Sequence, residues 1–161
     1  IRSWVYGPGI PAGCPRVPQE RFAKVDSERI RFLNDVPPAQ LNYLEWTTHE
    51  WLQFLRKMPP ALSVVQMKQL DEAFSFTNST NSEIADLWFI MSVRANYTPA
   101  YAKMELFLSS VGRRKFLEPL YEEMMKTPRS KDMAVRLYSK YRMNYHPLAQ
   151  ESLDKIVAGK S

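Results

Sequence analysis

The stretch that decides the fold is residues 98–126, TPAYAKMELFLSSVGRRKFLEPLYEEMMK. It opens with Thr98-Pro99, a helix-capping side chain followed by proline at the first helical position. Apolar residues then recur at helical spacing up to Gly112, a residue typical of helix ends. A second helical pattern runs from about Arg113 to Lys126, and because Pro119 lies inside it, a start nearer Phe116 is the alternative. The stretch predicts two helices joined by a tight turn.

Similar helix-start signals recur at intervals of 15–19 residues along most of the chain. The residues that carry them are Thr47, Ser63, Ser82, Thr98, Arg113, Ser130 and Pro147. One helix of about a dozen residues and a short turn fill each interval. Two intervals make a hairpin of roughly 33 residues, which is typical of stacked helical-pair proteins. We predict an all-α fold, an α-α superhelix of helical hairpins stacked in two layers as in armadillo and HEAT repeats.

Two of these helix starts have the sequence of a capping box, in which the first and fourth residues cap each other. They are Thr47 with Glu50 and Ser63 with Gln66. The helix from about residue 82 to 96 is apolar over much of its circumference, so we expect it to lie between two layers.

The first 18 residues differ from the rest of the chain. Six of the 12 prolines lie in the first 38 residues, and Gly7-Pro8-Gly9 cannot hold a helix. We predict an extended linker over residues 1–18 and a helical domain over residues 19–161. Because the large apolar residues between Trp4 and Ile10 need a surface to pack against, we expect the chain to be cut from a longer protein.

Composition excludes several classes of function. The net charge is +5, but 22 basic residues are mixed with 17 acidic ones, which argues against a nucleic-acid partner. No run of 18 apolar residues exists, so we expect no membrane-spanning segment. Cys14 is the only cysteine. A single cysteine is compatible with a reducing cytosol, and we expect a cytoplasmic location.

The motifs of self-contained catalysis are absent from the sequence. A zinc-protease helix needs His-Glu-x-x-His, and here His49-Glu50 is followed by Gln53 at the position of the second histidine. The chain also has no Gly-x-Ser-x-Gly turn and no glycine-rich phosphate loop. We therefore expect no catalytic residue, metal site or cofactor in this chain.

The densest group of cations is Gly112-Arg113-Arg114-Lys115, at a predicted helix start. Cations oppose the helix dipole there, and a locally unfavourable choice is typical of a functional site. Arg113 and Lys115 would suit a carboxylate or phosphate, which Arg can bind with two hydrogen bonds. The alternative is an ordinary solvated turn, and the residues alone leave both possibilities open.

Four segments, in the same order, resemble zinc aminopeptidases of the leukotriene A-4 hydrolase and aminopeptidase B type. They are Trp4-Val5-Tyr6-Gly7-Pro8-Gly9-Ile10-Pro11, Asn81-Ser82-Glu83-Ile84 with Leu87-Trp88, Gly112-Arg113-Arg114-Lys115-Phe116 with Pro119-Leu120, and Met143-Asn144-Tyr145-His146-Pro147. The third is similar to the family motif Gly-Arg-x-Lys-Phe. Together the matches span essentially the whole chain.

This resemblance implies a C-terminal helical domain that closes one side of an active-site cleft. It implies that Arg113 and Lys115 bind the free carboxylate of a peptide or lipid substrate, with Arg114 as an auxiliary cation. Zinc and catalysis are then expected in a catalytic domain outside this chain, joined through the linker, and that domain and a peptide substrate are the expected partners. The alternative is a stand-alone α-solenoid scaffold that binds other proteins.

Overall fold

The computed structural model describes residues 19–60 and 62–159. Every regular element in these ranges is helical. The α-helices are α1 Gln19–Leu33, α2 Thr48–Arg56, α3 Val64–Phe74, α4 Ser82–Ala95, α5 Tyr101–Ser110, α6 Arg114–Met124, α7 Pro128–Tyr141 and α8 Pro147–Val157. Short 3-10 helices lie at Pro38–Gln40, Phe76–Asn78, Thr98–Ala100 and Arg142–Asn144. The all-α prediction is confirmed, and the proposed linker over residues 1–18 lies outside the described residues.

The helices pack in the two layers that the regular spacing predicts. In the first layer α4 lies between α2 and α6, and α6 lies between α4 and α8. In the second layer α5 packs against α7, while α3 contacts α4 and α7 contacts both α6 and α8. Packing between every second helix is what stacked hairpins require, because each hairpin places one helix in each layer. Helix α1 covers the outer side of α2.

Helix α4 is buried around most of its circumference, as its composition predicts. Trp88 is fully buried at its centre, and the indole Nε1 donates to Oγ1 of Thr77 at 2.8 Å. Thr77 in turn donates to Asp71 on α3. The largest side chain of the core therefore has its polar atom satisfied, and the network ties α3 to α4.

Several helix ends differ from the predictions by a few residues. Thr98-Pro99 forms a 3-10 turn before α5, and α5 is capped at its end by Val111 rather than Gly112. Helix α7 starts at Pro128, not near Ser130, because Thr127 accepts a hydrogen bond from the Ser130 N–H and Pro128 takes the first helical position.

Helix α6 begins at Arg114, one residue after the predicted start at Arg113 and two residues before the alternative start at Phe116. Pro119 lies inside the helix and supplies no N–H to the carbonyl one turn earlier. Three buried residues on one face, Phe116, Leu117 and Leu120, hold this turn against the core despite the missing hydrogen bond. Tertiary packing therefore outweighs the local preference.

The two capping boxes are present as predicted, at Thr47 with Glu50 and at Ser63 with Gln66. Within the described ranges, no helix combines the length and the apolar character that crossing a bilayer requires.

Candidate functional site

The first layer places four helix starts side by side along one edge of the domain. Helices α2, α4, α6 and α8 run in the same direction because a helix of the second layer returns the chain between each pair. Asn81 Nδ2 lies 3.4 Å from Thr48 Oγ1, which joins the starts of α4 and α2. Lys115 at the start of α6 is bonded to Glu83 at the start of α4. We call this row the N-terminal edge.

Gly112 brings the start of α8 close to that of α6. A Cβ at Gly112 would lie 3.7 Å from the backbone oxygen of Asn144, an ordinary contact distance, so the two loops touch through backbone atoms. Asn144 Nδ2 also lies 3.4 Å from the carbonyl oxygen of Ser109 at the end of α5. The turn that carries the cations is therefore packed against the loop before α8.

The start of α6 lacks the usual cap. Arg113 occupies the N-cap position with extended backbone angles, φ −82° and ψ 123°, and its side chain makes no capping hydrogen bond. No acidic residue occupies the first turn. The first N–H groups of a helix have no partner within the helix, and the dipole adds positive charge there. This helix start therefore has positive potential that neither a capping side chain nor an acidic residue of its own first turn offsets.

The three cations of this turn have different environments. Arg114 Nε bonds Glu118 one turn further along α6 at 2.7 Å, and Lys115 Nζ bonds Glu83 on α4. Arg113 is exposed, and within residues 19–60 and 62–159 no carboxylate lies within 4.0 Å of its guanidinium. The guanidinium of Arg113 therefore remains available to an external anion.

Arg113 stands between two shallow clefts that share it and Gly112. The first cleft, of about 580 Å³, is lined by Gly112, Arg113, Arg114, Asn144, Tyr145, His146, Leu148 and Ala149. The second, of about 500 Å³, is lined by Asn81, Ser82, Glu83, Ser110, Val111, Gly112, Arg113 and Phe116. The first has mainly apolar walls apart from its two arginines and adjoins α8, and the second has the more polar surface and adjoins α4.

The floor of the first cleft is held in place by hydrogen bonds. Tyr145 is buried, and its hydroxyl lies 2.9 Å from the hydroxyl of Tyr121 on α6. Gln150 Nε2 donates to the Tyr145 carbonyl at 3.0 Å. His146 caps α8, because its Nδ1 accepts from the Leu148 N–H at 3.3 Å. The loop that carries Tyr145 is therefore anchored to the core of the domain.

A buried carboxylate lies near the same edge and was not identified from the sequence. Asp86 on α4 is 8% exposed, and its Oδ1 has no hydrogen-bond partner among the described residues. Burial raises the pKa of Asp86 to about 7, although the nearby Lys115 charge acts in the opposite direction. The available signal was a single aspartate within an otherwise apolar stretch, Ile84 to Val93, of the most buried helix.

The His49-Glu50 pair serves a structural purpose. The Glu50 carboxylate accepts from the Thr47 N–H at 2.8 Å and from Arg21 Nε at 3.0 Å, and His49 is exposed. In the part of the chain that the structure describes, no group of three or more His, Cys, Asp or Glu side chains is arranged to hold a metal ion. The residues around His49 do not fit a zinc site.

The fold and this edge define a class of protein, a helical domain of stacked hairpins with an unneutralised cation at one helix start. Comparison with known proteins identifies the family. Residues 46–157 match the family model described as "Leukotriene A4 hydrolase, C-terminal". This match covers more than half of the chain, and the chain belongs to that family.

Curated relatives support the same assignment. The chain is 29% identical over 172 residues to leucine aminopeptidase 2 of Aspergillus oryzae, a match that covers 98% of this chain and 26% of the relative. It is 28% identical over 124 residues to leucine aminopeptidase 2 of Neurospora crassa, covering 75% of this chain and 18% of that protein. The chain thus spans about a quarter or less of the length of these relatives.

A solved structure supports the fold. The native yeast LTA4 hydrolase superposes with a TM-score of 0.65 at 19% identity, over 97% of this chain and 28% of that chain. The family resemblance read from the sequence is confirmed. These similarities leave the roles of Arg113, Arg114 and Lys115 untested.

Proposed function

We propose that this chain is the C-terminal helical domain of a zinc aminopeptidase and that it binds the free carboxylate of a peptide substrate. In this proposal the domain closes one side of the active-site cleft. Zinc is held by the catalytic domain, where it activates the water that attacks the peptide bond. The residues of this chain bind and orient the substrate.

One observation carries the proposal, namely the environment of Arg113. Its guanidinium is exposed between two clefts at an uncapped helix start, and it has no carboxylate partner within the described ranges. An external carboxylate would receive two parallel hydrogen bonds from it and gain from the helix dipole. Family membership supplies the reason to expect a peptide as the source of that carboxylate.

The other two cations have supporting roles in this proposal. Lys115 is paired with Glu83, so a substrate carboxylate would share its ammonium group with an existing partner. Arg114 is paired with Glu118 and lines only the first of the two clefts. We therefore assign the main contact to Arg113, a second contact to Lys115, and a contribution of positive charge to Arg114.

Binding the far end of the substrate would accelerate hydrolysis by positioning. An anchored carboxylate fixes the distance from the peptide's C-terminus to the bond that is cleaved, so orientation is achieved before the reaction. Losing an interaction of this kind lowers kcat/KM because remote binding energy is used in the transition state. Removal of Arg113 should cost about 2–4 kcal/mol of transition-state stabilisation, roughly 30- to 900-fold in kcat/KM.

The test compares a tripeptide with its C-terminally amidated form on the full-length, zinc-loaded protein. The expected result is a strong preference for the free carboxylate that disappears in Arg113→Ala. Arg114→Ala is the matched control, because it removes an adjacent cation that already has a partner, and it should keep most of the preference. Equal turnover of both peptides by the unmodified protein would refute the carboxylate-binding role.

An absence of turnover on either peptide, with the protein folded and zinc bound, would refute the aminopeptidase proposal. That result would favour the scaffold alternative, in which the stacked hairpins bind other proteins. Loss of the preference in Arg114→Ala but not in Arg113→Ala would instead exchange the roles of the two arginines.

A further inference from the structure

We propose that the cleft between Arg113 and α8 selects peptides whose C-terminal residue carries an apolar side chain. The inference rests on the proposed function, since it takes Arg113 as the group that binds the C-terminal carboxylate. It adds a specificity site for the residue that bears this carboxylate. The residues that form it are Leu148 and Ala149 on α8, with Tyr145 as the floor.

The lining of this cleft has two kinds of chemistry. Its lining includes the cationic residues Arg113 and Arg114 from the start of α6 and the apolar residues Leu148 and Ala149 from α8. Leu148 is 62% exposed. In a C-terminal amino acid the carboxylate and the side chain leave the same Cα atom, so they can contact a cation and an apolar wall a few ångströms apart. The cleft brings residues of both kinds into one lining.

The volume and the charges of the cleft also fit this ligand. About 580 Å³ is sufficient for one large residue and a few displaced waters. No acidic side chain lines the cleft among the described residues. A C-terminal Asp or Glu would place its second carboxylate against Leu148, and a C-terminal Gly would leave the apolar wall exposed to water. Leu, Met and Phe would cover it.

The cleft is preformed, so selection does not require an induced change in this domain. Two connections fix the loop that carries its floor, the Tyr145–Tyr121 hydroxyl contact and the hydrogen bond from Gln150 to the Tyr145 carbonyl. A two-point ion pair between Arg142 and Asp154, at 2.9 and 2.7 Å, holds the preceding turn to α8. A rigid apolar wall discriminates by shape and burial because it cannot rearrange around a smaller residue.

The experiment measures kcat/KM on the full-length, zinc-loaded protein for tripeptides that share their first two residues. The third residue is Leu, Phe or Gly, and each peptide is made with a free and an amidated C-terminus. Covering part of a large apolar side chain should favour Leu and Phe over Gly by roughly tenfold. Leu148→Asn should reduce that ratio to near one.

Leu106→Asn is the matched control, because Leu106 on α5 is 60% exposed and lies outside the first cleft. It should leave the Leu-to-Gly ratio unchanged. A clear preference for the free carboxylate with equal rates for Leu and Gly would overturn this inference and leave the proposed function standing. A Leu-to-Gly ratio that is the same in Leu148→Asn as in the unmodified protein would also overturn it. Absence of any carboxylate preference would overturn the proposed function and this inference together.

Discussion

Helices α2 and α6 start on the same N-terminal edge but are built in opposite ways. At α2, the Glu50 carboxylate caps the Thr47 N–H and is paired with Arg21. At α6, Arg113 takes the cap position without capping, and two more cations follow. The first arrangement gives the Thr47 N–H an acceptor and places a negative charge at the positive end of the helix dipole. The second leaves the first N–H groups without a side-chain acceptor and adds positive charge at that end.

The residues at the start of α2 stabilise their helix, whereas those at the start of α6 do not. A helix start that served the fold alone would gain from a capping residue, as α4 does with Asn81, whose Oδ1 accepts from the Glu83 N–H at 3.0 Å. Cations at α6 therefore lower the stability of the helix, and the proposed binding of an anionic ligand would account for them. Substitutions at the start of α2 should lower stability, and substitutions at the start of α6 should lower activity.

The largest loss of stability should come from Glu50→Ala. Glu50 is buried, and its removal leaves the Thr47 N–H without its acceptor and the Arg21 guanidinium without its carboxylate partner. The free energy of unfolding should fall by about 2–3 kcal/mol, measured by urea denaturation. Glu72→Ala on α3 is the control, because its pair with Lys68 is exposed, and it should change stability by less than ~0.5 kcal/mol.

The Glu50 carboxylate also makes the stability of the unmodified protein depend on pH in a defined direction. Burial acts to raise the pKa of Glu50, but the hydrogen bonds from Thr47 and the charge of Arg21 outweigh it, so the pKa lies below the usual 4.5. A lowered pKa contributes stability above pH 4.5 that is lost as the pH falls through the folded-state value. The unmodified protein should therefore lose stability in acid more steeply than Glu50→Ala, and parallel curves would contradict this account.

A gain of stability of similar or larger size should come from Asp86→Asn, close to the proposed site at the start of α6. The pKa of Asp86 is raised from 3.8 to about 7 by burial, so ionisation of this group destabilises the fold as the pH rises through that interval. Asp86→Asn should raise the free energy of unfolding at pH 8 by about 4 kcal/mol and leave it unchanged near pH 3.

Exposed Asp132 on α7 provides the control for that measurement. Asp132→Asn should change the free energy of unfolding little at either pH. If Asp86→Asn destabilised the protein at pH 8, the buried carboxylate would have a partner that stabilises its charged form.

A smaller effect is expected when the cap of α6 is restored. Arg113 already has the extended backbone that an N-cap aspartate needs. Arg113→Asp should therefore increase the free energy of unfolding by about 1 kcal/mol, because it adds both a capping acceptor and a favourable charge. Kinetics on the full-length protein should show that the same change abolishes the preference for a free carboxylate. A variant that is less stable than the unmodified protein would show that Arg113 supports the fold.

The smallest effect is expected at the ion pair between Arg114 and Glu118. Both side chains are partly exposed, and pairs of this kind contribute less than about 1 kcal/mol. Thermal unfolding of Glu118→Gln should show a loss of at most ~0.5 kcal/mol, far below that of Glu50→Ala. A loss as large as that of Glu50→Ala would mean that the start of α6 is held by ion pairs in the way that α2 is.

The helical architecture was accessible from the sequence because capping boxes and apolar spacing are local signals. Thr47 and Ser63 mark the starts of α2 and α3 within one residue. The errors fell where two local signals compete. Thr127-Pro128 and Ser130 are both reasonable starts for α7, and only the packed structure selects the first. The alternative start of α6 near Phe116 is wrong, because the sequence does not show how strongly Phe116 and Leu117 are buried.

The candidate site was accessible only in part. The sequence marks Arg113, Arg114 and Lys115 as a group of cations, but it treats Arg113 and Lys115 as equivalent. Their pairing with acids depends on contacts across two helices, as between Lys115 and Glu83, which are 32 residues apart in the chain. The isolated carboxylate of Asp86 likewise becomes evident only when burial is known. Local patterns reveal which residues are present, and tertiary contacts decide which charges remain available.

The alternation of the two layers also determines how far the N-terminal edge can act. Helices α3, α5 and α7 end at the edge where α4, α6 and α8 begin, because only short turns connect them. Each positive helix start therefore has a negative helix end beside it, and the two partial charges cancel at long range. The N-terminal edge would therefore attract an approaching anion mainly at contact distance. Salt should then alter its association rate far less than it would on a surface where all helices point the same way.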